Sequence, residues 1–162
     1  MRPKAHGVSL IAVLCLATGG ALADGGGGGG GGLSAEPLDL EIKLYEAASA
    51  KQDWSAAAAA MRTGIARDPR NADFHNLYAY SLRKGANPDM SLVFKHYNEA
   101  LRLDINHLGA HEYLGEAYLM VGNLPKAKEH LARLDKLCLF SCPEYRDLKK
   151  AIGEYEKKTA KR

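Results

Sequence analysis

From Glu36 onward, apolar residues return every three or four positions, in stretches separated by short polar or Gly- and Pro-containing breaks. This is the period of an amphipathic helix, in which positions i, i+3, i+4 and i+7 share one face. Leu40, Leu44, Ala47 and Ala48 mark the first stretch, and Lys51-Gln52-Asp53 interrupts it. The second runs from Trp54 to Arg67 and contains the alanine run Ala56 to Ala60. Alanine is the best helix former, and its bare face lets a neighbouring helix approach closely. Asp68-Pro69 ends this stretch, because proline disfavours helix at the residue before it. Two further pairs are predicted, at Ala72 to Lys84 with Met90 to Leu103, and at Leu108 to Val121 with Pro125 to Leu137. Gly85-Ala86-Asn87-Pro88 and Gly122-Asn123 make their turns. Pro125 sits near the start of its helix, where a missing N–H costs little. A last helix begins after Cys142-Pro143 and carries Tyr145, Leu148, Ile152 and Tyr155 on one stripe; its charged tail, Glu156 to Arg162, is expected to fray. No run of alternating β-branched residues predicts a strand, so the fold class is all-α.

The helices come in pairs, and the pairs repeat. Pro69, Ile105 and Leu139 close successive units, with gaps of 36 and 34 residues. A period near 34 with paired helices is the signature of a helical repeat array. The units span about 38–69, 72–105 and 108–139 of a domain covering 36–158, and the helix at 143–158 serves as its cap. One pair cannot bury its apolar faces alone, so units must stack and the stack must be closed at its end.

The third unit resembles the tetratricopeptide repeat family. Leu114-Gly115 and Tyr118 match its first helix, Gly122 its turn glycine, and Ala127 the small residue of its second helix; Leu131 and Leu139 stand where the family has an aromatic residue and a proline. In the second unit, Tyr78-Ala79, Leu82, Tyr97 and Ala100 take the corresponding places, and two extra residues fall around Gly85 to Met90. In the first unit, Leu44-Tyr45, Ala48, Ala57, Met61 and Pro69 do so. The stretch Asn76 to Ile152 also looks like a type of exported bacterial tetratricopeptide protein. The resemblance implies a right-handed superhelix of about three helix-turn-helix repeats plus the cap. Ala57, Ala79, Ala100, Leu114, Gly115, Tyr118 and Ala127 are its packing positions. Gly115 and Ala127 are expected where the two helices of a pair cross, and Tyr118 and Leu131 where gaps need filling.

In that family the first helices of successive pairs line a concave groove. The resemblance places Asn76, Tyr80 and Arg83 of the second unit there, with Glu112, Glu116 and Met120 of the third. Aromatic and arginine residues are favoured interface anchors, which points to a protein or peptide partner held as an extended segment or a helix. The alternative is that Arg83 and Glu116 pair with each other across a solvated face. Some members of the family clamp C-terminal carboxylates with basic and asparagine side chains; Ile42 and Glu46, on the first unit's groove face, do not supply that clamp.

Outside the repeats, the chain begins as an export signal. Arg2 and Lys4 precede the apolar run Val8 to Ala17, and Ala21-Leu22-Ala23 fits the small-x-small cleavage rule, so 1–23 read as a signal peptide. Residues 24–35, with eight consecutive glycines from Gly25 to Gly32, read as a flexible leader. No other apolar segment is long enough to span a bilayer. Loss of Arg2 and Lys4 leaves 20 basic residues against 19 acidic ones, and a near-neutral chain gives no electrostatic case for nucleic acid. The signal and the repeat type together suggest a bacterial periplasm.

Export would place Cys138 and Cys142 in an oxidising compartment, where a disulfide tying the third unit to the cap is expected. Their spacing is not that of a reactive Cys-x-x-Cys pair. His107 and His111 lie four apart and could face one another, but two histidines make an incomplete metal site, and Gly115-Glu116 stand where a zinc-protease motif needs its second histidine. No metal, cofactor or catalytic constellation is expected. The sequence therefore predicts an exported, non-enzymatic interaction module. Two other readings stay open: a thiol-disulfide accessory using Cys138 and Cys142, and a non-catalytic subunit of an envelope assembly whose first unit exposes an apolar patch.

Overall fold

The computed structural model describes residues 37–140 and 142–161, with side-chain surroundings from Leu40 onward. The signal peptide and glycine leader lie outside the described residues. Among the described residues, seven helices follow one another: α1 (Pro37–Ala50), α2 (Trp54–Arg67), α3 (Ala72–Lys84), α4 (Met90–Leu103), α5 (Leu108–Met120), α6 (Leu124–Leu137) and α7 (Pro143–Thr159). They form an all-α superhelix of the tetratricopeptide type. α1 packs on α2, α3 on α4 and α5 on α6; each second helix packs on the first helix of the next pair, and α7 closes the stack against both α5 and α6.

Side chains at the helix starts explain the boundaries. Asp53, Asn71, Asp89 and Asn123 each accept a backbone N–H from the first turn of α2, α3, α4 and α6. At α5 the ring Nδ1 of His107 takes that role, accepting from the Ala110 N–H at 3.2 Å. Each cap satisfies a donor that the helix leaves without an internal partner. The α5–α6 turn passes through Gly122 at φ +79°, whereas the α1–α2 turn uses Gln52 at φ 57°, a left-handed conformation that a side chain disfavours.

The core forms three neighbouring clusters. Ala60, Met61 and Phe74 join α2 to α3. Ala79, Val93, Tyr97, Ala100, Leu101, Ala110, Leu114 and Ala117 join α3, α4 and α5. Ala127, Leu134, Leu148 and Ile152 join α6 to the cap. Ala57, Ala79, Ala100 and Ala127 are fully buried, and Tyr118 packs on Phe94 with tilted rings whose centroids are 4.9 Å apart.

Two expectations are corrected. Gly115 is small because of the cap, not because of its own pair: a Cβ there would meet Leu148 Cδ2 of α7 at 2.6 Å. The charged C-terminal tail does not fray at Glu156. The helix continues to Thr159, with Lys128 Nζ of α6 2.6 Å from Glu156 Oε1.

Candidate functional site

The first helices of the second and third pairs and the cap share one face, and Trp54 joins it from the start of α2. Trp54 and Tyr80 meet edge to face at 5.6 Å, and Tyr80 meets Tyr113 at 4.6 Å. Basic side chains lie over these rings. The Arg83 guanidinium is 5.4 Å from the Tyr80 centroid and 5.7 Å from that of Tyr113, and Lys84 Nζ is 5.6 Å from Trp54. Such contacts hold a cation against the negative face of a ring.

Arg83 is the hub. Its side chain is 8% exposed, its Nη2 lies 2.7 Å from Glu116 Oε2, and its Nε donates to the Tyr97 hydroxyl at 3.2 Å. The pairing of Arg83 with Glu116, one of the two readings of these residues, is therefore present. Burial pushes the Tyr80 and Tyr113 hydroxyls above their ordinary range, so both stay neutral donors at physiological pH.

Glu112 is buried at 8% exposure and Met120 is half exposed. Met120 lines a separate hollow with Leu119, Gly122 and Tyr155 at the far end of α7, away from Glu112. Asn76 is corrected: at 4% exposure it lies beneath the surface, its Nδ2 close against Gly109 of α5, and contributes packing between α3 and α5. Trp54, Tyr113 and, on α7, Asp147 and Glu154 belong to this face and were missed. An aromatic residue opening α2 and a second one beside Glu112 were the available signals.

His107 and His111 do not face one another. His107 caps α5, while His111 belongs to a buried pair whose Nδ1 is 3.0 Å from His130 Nδ1 and whose Nε2 is 3.0 Å from the Ile105 carbonyl. The same arrangement occurs one unit earlier. His75 Nδ1 is 2.9 Å from His96 Nδ1, and His75 Nε2 is 3.1 Å from the Pro69 carbonyl. The carbonyl fixes the proton on Nε2 of His75 and His111, so their Nδ1 atoms accept and His96 and His130 donate. Burial, aided by the neighbouring histidine, lowers the pKa of His96 and His130 to about 4. Burial also holds His111 below its ordinary range. The recurrence at 36 and 34 residues was visible in the sequence and went unused.

The sulfur atoms of Cys138 and Cys142 are in contact, and their Cα atoms are 5.5 Å apart, within the span of a disulfide. Cys142 stands at the N-cap of α7. Beside it, Leu139 and Phe140 are 89% and 95% exposed.

No protein-family model matches the chain, and none of the curated proteins does. Solved structures do resemble it. The TPR2B domain of yeast Sti1, solved as a pHsp70 complex, superposes with a TM-score of 0.66 at 19% identity over 75% of this chain and 97% of that one. The type III secretion chaperone SycD of Yersinia enterocolitica, in complex with a peptide of the translocator YopD, gives 0.63 at 17% identity over 80% and 98%. The first TPR of Spaghetti (RPAP3), bound to an HSP90 peptide, gives 0.63 at 15% over 78% and 96%. These likenesses place the chain in the tetratricopeptide fold.

Proposed function

We propose that the protein is a non-catalytic interaction module that holds an extended partner segment against the face formed by α3, α5 and α7. The observation that carries this reading is the Trp54–Tyr80–Tyr113 series, half-buried rings bound to one another and topped by Arg83 and Lys84. Rings held in this way offer contact area with little side-chain entropy left to lose. Structures of the same fold that carry bound peptides support the reading.

The test is a random-peptide display selection on the purified protein, followed by fluorescence anisotropy with Tyr80→Ala and Tyr113→Ala variants. Binding should weaken by about tenfold or more in each variant, as for an interface anchor. Peptides that bind both variants as well as the parent would overturn the assignment.

We further propose that the chain is exported, on the strength of its n-region, apolar run and Ala-Leu-Ala site, to a bacterial periplasm. There Cys138 and Cys142 would be joined as a structural bridge at the entry to the cap. Mass spectrometry of the secreted chain with and without reductant reads both points at once.

A second reading, as a non-catalytic subunit of an envelope assembly, is favoured by the first pair. Leu40 and Leu44 are 49% and 52% exposed, and an open hollow of about 330 Å³ beside them is lined by Ala56, Ala59 and Ala60. Co-purification of a stoichiometric partner that is lost with Leu44→Glu would favour this reading over the first.

A further inference from the structure

The groove changes chemistry along its length. At the α2–α3 end it is aromatic and carries Arg83 and Lys84. At the α5–α7 end an open hollow of about 250 Å³ is lined by Glu112, Glu116, Asp147, Lys150, Ala151 and Glu154. Two of these carboxylates have cations close by: Glu116 faces Arg83 at 2.7 Å, and Glu154 lies 4.0 Å from Lys150.

Glu112 is different. It is more than nine-tenths buried, lines the hollow, and makes no hydrogen bond or ion pair with any described side chain. The groups around it are mostly acids: Glu116 on its own helix, and Asp147 and Glu144 from α7, with Arg83 reaching it from α3. Its carboxyl oxygens, unlike Glu144 Oε2 beside it, are not sealed from solvent: they open onto the hollow and can accept from a donor placed there. The arrangement supplies acceptors and leaves the donor to come from outside.

We propose that this end of the groove binds a cationic side chain, lysine or arginine, carried by the partner segment. The inference rests on the peptide-binding reading above and names the partner's chemistry. The incoming ammonium or guanidinium would donate to Glu112 and lie among Asp147 and Glu116, while the rest of the segment runs toward Tyr113 and Tyr80. Burial and the neighbouring acids raise the pKa of Glu112 to about 8, so at neutral pH it holds a proton. A bound cation favours the ionised form, and binding therefore expels that proton. Affinity should rise with pH from 6 to above 8.

The experiment is titration calorimetry of the purified protein with two end-blocked hexapeptides, one alternating lysine and alanine and the other glutamate and alanine. Each is run at pH 7 in two buffers of different ionisation enthalpy. The lysine peptide should bind about tenfold or more tighter than the glutamate peptide, as opposite-charge recognition requires, and should release a proton. Glu112→Gln keeps the shape of the protonated acid and should abolish the proton release. Asp147 is exposed on α7 and outside the core clusters, so Asp147→Asn should leave the melting temperature unchanged and weaken the lysine peptide by about threefold or more.

Equal binding of both hexapeptides, or unchanged lysine-peptide binding in Asp147→Asn, would overturn the proposal. So would saturable binding of calcium chloride that displaces the peptide, which would make the hollow a metal site. If the lysine peptide fails while display-selected peptides bind in a Tyr80-dependent way, the charge assignment falls and the groove reading stands. If no peptide of any kind binds, both fall.

Discussion

Between the second and third helix pairs, the polar side chains that cap a helix or bridge two of them return in the same places. Asn71 and His107 cap their helices, and His75 and His111 each bridge a histidine of the partner helix and the carbonyl of the residue that closed the previous unit. On the groove face, the same superposition sets Tyr80 against Glu116, Arg83 against Leu119 and Lys84 against Met120. Nothing there repeats. Packing must satisfy the same neighbours at each step of a stack, so its residues recur. A surface that meets an external segment faces a different part of that segment at each unit, and its residues are free to diverge. The contrast separates what holds the array together from what it is proposed to do.

The largest effect should come from a residue that belongs to both sides. Tyr97 is fully buried and accepts the Arg83 Nε–H. Tyr97→Ala is expected to cost about 3–5 kcal/mol, as for other large aromatic truncations, read from urea unfolding. A loss below about 1 kcal/mol would mean that the α3–α4–α5 cluster is not the main core.

Acid should act next, on the repeated side. His96 and His130 have a pKa near 4 in the fold against 6.5 unfolded. A lowered basic pKa means the unfolded chain binds protons first, so stability is complete above pH 6.5 and falls steadily toward pH 4. Asparagine keeps the donor and does not titrate, so His96→Asn with His130→Asn should flatten the melting temperature across that window. An unchanged slope would remove the histidine pairs from the account.

Glu112, on the unrepeated side, should have the opposite sign. Its pKa is raised to about 8 from 4.5, so its contribution is present below pH 4.5 and lost as pH rises through 8. Glu112→Gln should match the parent in acid and melt higher above pH 8. The smallest effect belongs to the first turn: Gln52→Gly relieves φ 57° and should gain about 0.5–1 kcal/mol in the same urea assay.

The helices were legible in the sequence, with bounds inside two residues wherever the described chain allows comparison, because periodicity, capping residues and Gly or Pro breaks all agreed. The role of Gly115 was not, because the pattern shows that a position is small without showing which helix presses on it; the answer was Leu148, more than thirty residues away. Asn76 fell on the right face of α3 by its angle. Its burial depended on how closely the start of α5, at Gly109, approaches, a tertiary distance that no spacing encodes. The pairing of Arg83 with Glu116 was one of the two readings the sequence left open, and the Tyr97 hydroxyl that completes the hub comes from α4.

The most direct test is an NMR footprint of a display-selected peptide on the isotopically labelled protein. The account predicts shifts concentrated on Trp54, Tyr80, Arg83, Tyr113, Glu116 and Asp147, with His75, His96, His111 and His130 unmoved. Shifts centred on the α4 and α6 surfaces, with the groove residues silent, would contradict it.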